Sequence, residues 1–310
     1  MLEFEDTKKP AAKSATSQAK TGAQESDQLK NNSAPRPPIG YTAKPYIPTY
    51  REMPTIWRPL NWLISILIIA DLLLLITAWF HKGELPYASA IREELLEEPV
   101  QSPIDEQPFE FEYAAKKYVV EPIAEYQIAG LVTTHNAVGT IFDAYHEADA
   151  VDIKDLCIIW GDNLTSNNFR SLKYTSETWT CVVESTSMKV WREFNPAQLS
   201  NNHLIAASST VRDRIHSVRI GDQVQMRGML INYHPVGSPD MRRSTSTVRT
   251  DKGDGACEVF LVQDISILAR GTPGWYAAWT FGLWFMWGLL AAKVLIFFAI
   301  PLEHYKKFSS

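Results

Sequence analysis

Two long apolar runs bracket a stretch of short alternating segments. Residues 60–80, LNWLISILIIADLLLLITAWF, hold one charge in 21 positions, and at 1.5 Å per residue such a helix reaches roughly 31 Å, enough to cross a bilayer core. Residues 275–300, WYAAWTFGLWFMWGLLAAKVLIFFAI, again hold a single charge and are long enough to span with tilt. Between the runs, EYQIAGLVTTH (125–135), LCIIWG (156–161) and ETWTCVVES (177–185) read as strands, FRSLKYTS (169–176) as an extra strand and TIFDAYHEA (140–148) as a short helix. Ser208 or Ser209 caps a helix predicted over 209–217, Gly221-Asp222 makes a turn, and QVQMRGMLINY (223–233) and CEVFLVQDISIL (257–268) supply the last strands. The predicted fold class is two transmembrane α-helices flanking a β-rich α+β exported domain.

Three strand regions, a helix and two strands follow one another in the order of an OB-fold, a five-stranded partly open barrel. The segment from Val218 to Tyr233, with its Gly-Asp turn and mid-strand Gly228, resembles the helix-to-fourth-strand part of OB domains, and YQIAGLV with Gly130 is similar to their first strand. Glycine inside a strand lets a small barrel bend at a corner. A small β-sandwich is the alternative fold. The two-span arrangement with DLCIIWG, LSNNHLI and GDGACEVF also resembles a group of bacterial inner-membrane proteins with no assigned activity. That resemblance implies a location and no chemistry.

Charge sharpens the division. Residues 1–59 carry 9 basic and 6 acidic groups, with five prolines between 34 and 48, a composition that predicts a disordered cytoplasmic tail. It is read as a docking tail for a cytoplasmic partner or as a solvated leader. Residues 81–112 are predicted to be an acidic membrane-proximal spacer; 84–112 hold nine acidic groups and one arginine, an extended, self-repelling composition. The domain proper, 113–272, has 16 basic and 18 acidic groups and is nearly neutral. Residues 301–310 form a second short tail. Lys44, Arg51 and Arg58 precede the first span, and Lys306 and Lys307 follow the second. By the positive-inside rule both termini are cytoplasmic and the central domain faces outward, into the periplasm of a Gram-negative cell.

Four groups of residues are candidates for chemistry or recognition. Arg242, Arg243, Arg249 and Lys252 lie in a long loop between the last two strands, a connection OB-folds use for ligands. This loop is read as a clamp for an anionic partner, such as an acidic protein surface, a lipid headgroup or an envelope polymer, or as a solvated loop. Nucleic acid is not expected, because the domain is nearly neutral and lacks a series of stacking aromatics. Asp71 and Lys293 are the single charges of the two spans and are predicted to pair in a helical hairpin, since each needs a partner in hydrocarbon; Asp71 facing another subunit or an ion path is the alternative. Ala78 and Gly282 fall at matched depth and permit close helix contact.

Three cysteines allow three disulfide pairings outside the cytoplasm, of which Cys181–Cys257 is preferred because it would tie the last strand to the barrel. His135, Asp143, His146 and Glu147 match no ligand spacing, and no metal or cofactor is expected. No Gly-x-Ser-x-Gly elbow, Walker loop or zinc-protease helix motif occurs. The function expected is therefore a non-catalytic membrane adaptor or accessory subunit whose domain binds a protein or envelope component. The alternatives are a subunit of an ion-driven or transport complex using Asp71, and a periplasmic enzyme.

Overall fold

Apolar side chains all round a long helix leave it no polar face to turn to water, and both apolar runs take this form. The computed structural model describes residues 49–50, 53–137, 151–177, 180–248, 257–300 and 303–304. Helix α1 is Arg58–His81. Strands β1 (Val100–Pro103), β2 (Phe109–Tyr113), β3 (Lys116–Ala137) and β4 (Lys154–Ile159) follow. Then come β5 (Lys173–Glu177), β6 (Thr180–Glu184), α2 (Met188–Glu193) and β7 (Leu199–Ala206). The remaining elements are α3 (Ser209–Ser217), β8 (Gln223–Pro235), β9 (Glu258–Ala269) and α4 (Pro273–Ala299). The fold is α+β, with two helices long and apolar enough to cross a membrane on either side of a mixed sheet in sequence.

Five strands close a ring of pairings: β3 with β4, β4 with β7, β7 with β9, β9 with β8, and β8 back to β3. Only β7 and β9 run parallel; the other four pairings are antiparallel. The long β3 serves two neighbours, pairing through Tyr118–Leu131 with β8 and through Leu131–Ala137 with β4. Alternate residues point into the ring: Tyr126, Ile128, Ile158, Trp160, Leu204, Met226, Leu230 and Phe260 belong to one buried cluster. Tyr126 and Phe260 meet edge to face at 5.0 Å. Each such side chain contributes about 1.5–3 kcal/mol by leaving water.

Helix α3 lies in sequence between the third and fourth strands of the ring, and its Val211 and Ile215 join the same cluster. Ser208 caps its first turn by accepting from Val211 N, as the sequence predicted. At its other end the buried Lys154 donates to the carbonyls of Ile215, His216 and Val218 at 3.4, 3.4 and 2.6 Å, satisfying carbonyls that a helix leaves unpaired.

Three expectations about the segment between the helices need correction. The stretch 84–112 is not a free-running spacer: Leu95 is fully buried against Leu131, Ile159 and Phe169, and β1 and β2 both pair with β3. Glu98 accepts from Trp160 Nε1 at 2.9 Å and Gln198 Nε2 at 2.7 Å, so that carboxylate is bound by donors where mutual repulsion was predicted. ETWTCVVES does not enter the ring; its Thr180–Glu184 pairs with Lys173–Glu177 in a separate hairpin, and the third ring strand is β7. The disulfide is Cys157–Cys181, with Cα atoms 5.8 Å apart, and not Cys181–Cys257. With the hairpin packed against β3 and β7, the Cys181 sulfur reaches Cys157, while Cys257 keeps its thiol and accepts from Asn201 Nδ2 at 3.7 Å. The strands form one closing sheet where a sandwich would need two packed ones.

The helices run antiparallel. Trp79 and Trp279 lie 5.4 Å apart, His81 stacks on Trp275 at 4.9 Å, and Lys82 Nζ sits over both the Trp79 and Trp279 rings at 4.2 and 3.9 Å. Ile64, Asp71, Leu75 and Ala78 form the buried stripe of α1. Asp71 and Lys293 do not pair. Lys293 Nζ reaches Asn61 O at 3.1 Å, Asn61 Oδ1 at 2.7 Å and Ser65 Oγ at 2.7 Å, one acceptor for each of its three donors. Asp71 instead faces Gly282, where an added Cβ would lie 3.1 Å from Oδ1. Gly282 is 11 residues from Lys293, roughly 16 Å along the helix. Ala78 does not sit opposite Gly282 either, because the register runs a turn away from one counted from the apolar ends. Asn61→Leu and Lys293→Met should therefore show a coupling of about 1 kcal/mol in a double-mutant cycle. Asp71→Asn and Lys293→Met should add without coupling, as read from unfolding midpoints in detergent.

Candidate functional site

The ring face formed by β4 and β7 carries the densest buried polar chemistry among the described residues. Asp155 on β4 and His203 on β7 are directly opposed across the strand pair, and His203 Nδ1 lies 2.6 Å from Asp155 Oδ1 with both side chains at most 2 % exposed. Asp152, three residues before Asp155, brings a third group, and one ligand atom from each of the three lies within 4.8 Å of the others. In β4 the core-facing residues are Leu156 and Ile158, so alternation turns Asp155 to the outer surface of the ring. Asp155 is nevertheless fully buried.

Beside this face the chain from Arg243 to Ser246 is tied to β8 and to the start of β9, and Tyr233 lies close enough to Asp152 and Asp155 to feel their charge. Arg243 and Tyr233 exchange backbone hydrogen bonds at 2.8 and 2.9 Å, and Ser246 N donates to Cys257 O at 2.9 Å. Thr245 N donates to Asn232 Oδ1 at 2.9 Å, and Val259 N to Thr245 Oγ1 at 3.0 Å. On β7, Asn202 Nδ2 donates to Ser200 Oγ, which donates to Glu258 Oε2 at 2.6 Å.

Electrostatics follow from this enclosure. Burial disfavours the His203 cation, but hydrogen bonds to Asp155 and Cys257 and their charges outweigh it and hold the imidazole up at about 9. Burial, then the Asp152 carboxylate, push the Tyr233 phenol well above its usual range. Nearer the end of α3, burial and the Lys154 charge push His135 down to about 4, and burial lowers Lys154 to about 8 against the attraction of Asp222.

No protein-family model, curated protein or solved structure matches the chain. The site is therefore read on its own geometry. Two carboxylates and an imidazole converging in a buried cluster can share a proton or hold a divalent cation.

The residues singled out from sequence fare differently. Arg242 is engaged, its Nη2 donating to Glu121 Oε2 at 2.6 Å, and Arg243 is paired through its backbone with Tyr233. Arg249 and Lys252 lie outside the described residues, as do Asp143, His146 and Glu147, so the four-residue clamp is not assembled by the described part of the loop. His135 lies near Lys154. Asp152, Asp155 and His203 were missed. Their signal was present in VDIKDL at 151–156 and SNNHLI at 200–205, where polar residues interrupt apolar runs too short to be anything but buried strands.

A second constellation joins the ring to the helices. Asp222 accepts from Arg219 N at 2.9 Å, Gly271 N at 3.1 Å and Arg270 Nη1 at 2.8 Å. Gly83 N donates to Thr272 Oγ1 at 3.0 Å, and Tyr276 OH donates to Ile220 O at 3.5 Å while its ring lies 4.6 Å from the Arg219 guanidinium. Gly221, at φ +85°, lies against the backbone of Gly271 and of Glu84. Both helix ends are thus clamped on one turn of the ring, within the compact unit Arg51–Glu303.

Proposed function

We propose that this chain is a two-pass inner-membrane adaptor, with both ends cytoplasmic, that holds an OB-like barrel at a fixed height over the outer, periplasmic surface for a protein or envelope partner. The clamp at residues 219–222 is the observation that carries this reading: a catalytic domain needs only a tether, whereas a docking module in an assembly gains by having its orientation fixed in advance. The Trp79, Trp275 and Trp279 cluster at the barrel end of the helices supports an interfacial level there. The Lys and Arg residues outside the two spans support the orientation. The closed strand order, the parallel pairing of the third and fifth ring strands and the helix between the third and fourth support the OB reading.

The partner-facing surface we favour is the β8–β9 connection, where Val236, Met241 and Val248 are exposed. A photo-crosslinker at Met241 in the full-length protein in cells should give one dominant adduct to an envelope component, reproduced from Val248 and absent from Met188, an exposed residue on α2. Equal labelling from Met188 would refute a dedicated face, and protection of Met241 from impermeant labels in intact spheroplasts would refute the orientation.

A second reading rests on Asp71. Its carboxylate is 4 % exposed and neither oxygen has a hydrogen-bond partner among the described residues, as suits a group that binds a proton or ion within a transport complex.

A further inference from the structure

We infer that Asp152, Asp155 and His203 bind a divalent transition-metal ion that locks β4 to β7. Three observations carry this. The donor atoms lie within 4.8 Å of one another, all on buried residues, so drawing them to within about 4.4 Å lets a single ion touch each at the usual 2.0–2.2 Å. Two of the three residues are fixed in adjacent ring strands as direct cross-strand partners, so the site is held by the sheet and needs little ordering on binding. Asp155 Oδ2 is buried and has no hydrogen-bond partner among the described residues, and an unmatched carboxylate oxygen in a dry interior is costly.

The donor set also narrows the ion. One imidazole nitrogen with carboxylate oxygens suits Zn²⁺, Mn²⁺ or Fe²⁺; Mg²⁺ and Ca²⁺ prefer all-oxygen cages, and Cu⁺ prefers sulfur. His203 Nδ1 already bonds Asp155 Oδ1 at 2.6 Å, so the imidazole takes the ion by giving up a proton, and loading the metal releases that proton as for other histidine ligands. The ion would tie two strands that are paired in any case, so the site does not depend on the adaptor reading.

The test uses the full-length protein in detergent. Elemental analysis after purification without chelator should find a stoichiometric transition metal. Removing it with a chelator should lower the unfolding midpoint, and Zn²⁺ or Mn²⁺ at a hundredfold excess over Kd should restore about 5–10 °C. Asp155→Asn and Asp152→Asn should lose the bound metal and the response, while Asp162→Asn, an exposed acid, keeps both. The wild-type chelation arm stands even if a variant fails to fold. A metal-free protein whose midpoint ignores chelator and added Zn²⁺, Mn²⁺ and Fe²⁺ would overturn the site, leaving Asp155 balanced by His203. A response that survives intact in Asp155→Asn would overturn it equally, by moving the ion elsewhere.

Discussion

Asp222→Ala is expected to destabilise the full chain by about 3 kcal/mol and to loosen the barrel from the helix pair. The side chain is 1 % exposed and takes the backbone N–H groups of Arg219 and Gly271 together with Arg270 Nη1. Alanine leaves all three donors without that acceptor. Arg270 is 38 % exposed and can turn to water, which keeps the estimate at the lower end of the range for a broken buried pair. The two backbone N–H groups cannot turn away, because Gly271 lies against Gly221, with an added Cβ only 2.6 Å from the Gly221 carbonyl carbon. Asp222→Asn should cost roughly half as much, since one oxygen remains and the new amide points an N–H at a donor. Denaturation in detergent reads the stability loss. Distance distributions between spin labels on the barrel and on α4 read the function, broadening in Asp222→Ala if the clamp sets the barrel's orientation. An unchanged, narrow distribution with normal stability would remove the main support for the adaptor proposal.

How much of this was legible in the sequence depended on whether the signal was local. The helices declared themselves by length, α3 by its serine cap, and β8 and β9 by the spacing of Val224, Met226, Gly228 and Leu230 and of Val259, Leu261, Ile265 and Ile267. The helical repeat about Asp71 puts Leu60, Ile64, Leu75 and Ala78 on one face of α1; the last three are buried, while Leu60, near the helix end, is exposed. Pairings across the chain were not legible. Opposite charge suggested Asp71 with Lys293, yet a lysine is satisfied as well by neutral oxygens, and Asn61 and Ser65 stand where the true register needs them. The acidic stretch 84–112 was read by its charge, whereas Leu95 and the alternating Phe109 and Phe111 decide its fate by burial. The third ring strand was misplaced for the converse reason. LSNNHLIA has four polar residues in a row among its eight, and low hydrophobicity argues against a buried strand unless each polar group has a partner inside. The same misplacement put Cys181 in the ring and hid the opposition of Asp155 and His203, so the candidate metal site and the wrong disulfide have one cause.

Gly228→Val should prevent the ring from closing, and even Gly228→Ala should cost about 3 kcal/mol or more. A Cβ at Gly228 would lie 2.1 Å from Leu261 O and 2.9 Å from Gln263 N; both are backbone atoms of β9, so no rotamer change relieves the clash. Gly228 pairs with Tyr126 of β3 on one side and Val262 of β9 on the other, beside the register shift between Val262 and Asp264. It therefore sits where β8 is squeezed between both neighbours and bends. Gly288→Ala in α4 is the control, because nothing lies within 4 Å of its added Cβ and alanine is the better helix former by up to about 1 kcal/mol. The pair separates two meanings of glycine that sequence alone leaves merged: a strand glycine kept for close backbone approach and a helix glycine that can be replaced. If Gly228→Ala unfolds at the wild-type midpoint with its strand content intact, the backbones of β8 and β9 are not that close, and the closed ring on which the OB reading rests is wrong. If it unfolds early while Gly288→Ala does not, the close approach of β8 and β9 at Gly228 is part of what holds the ring closed.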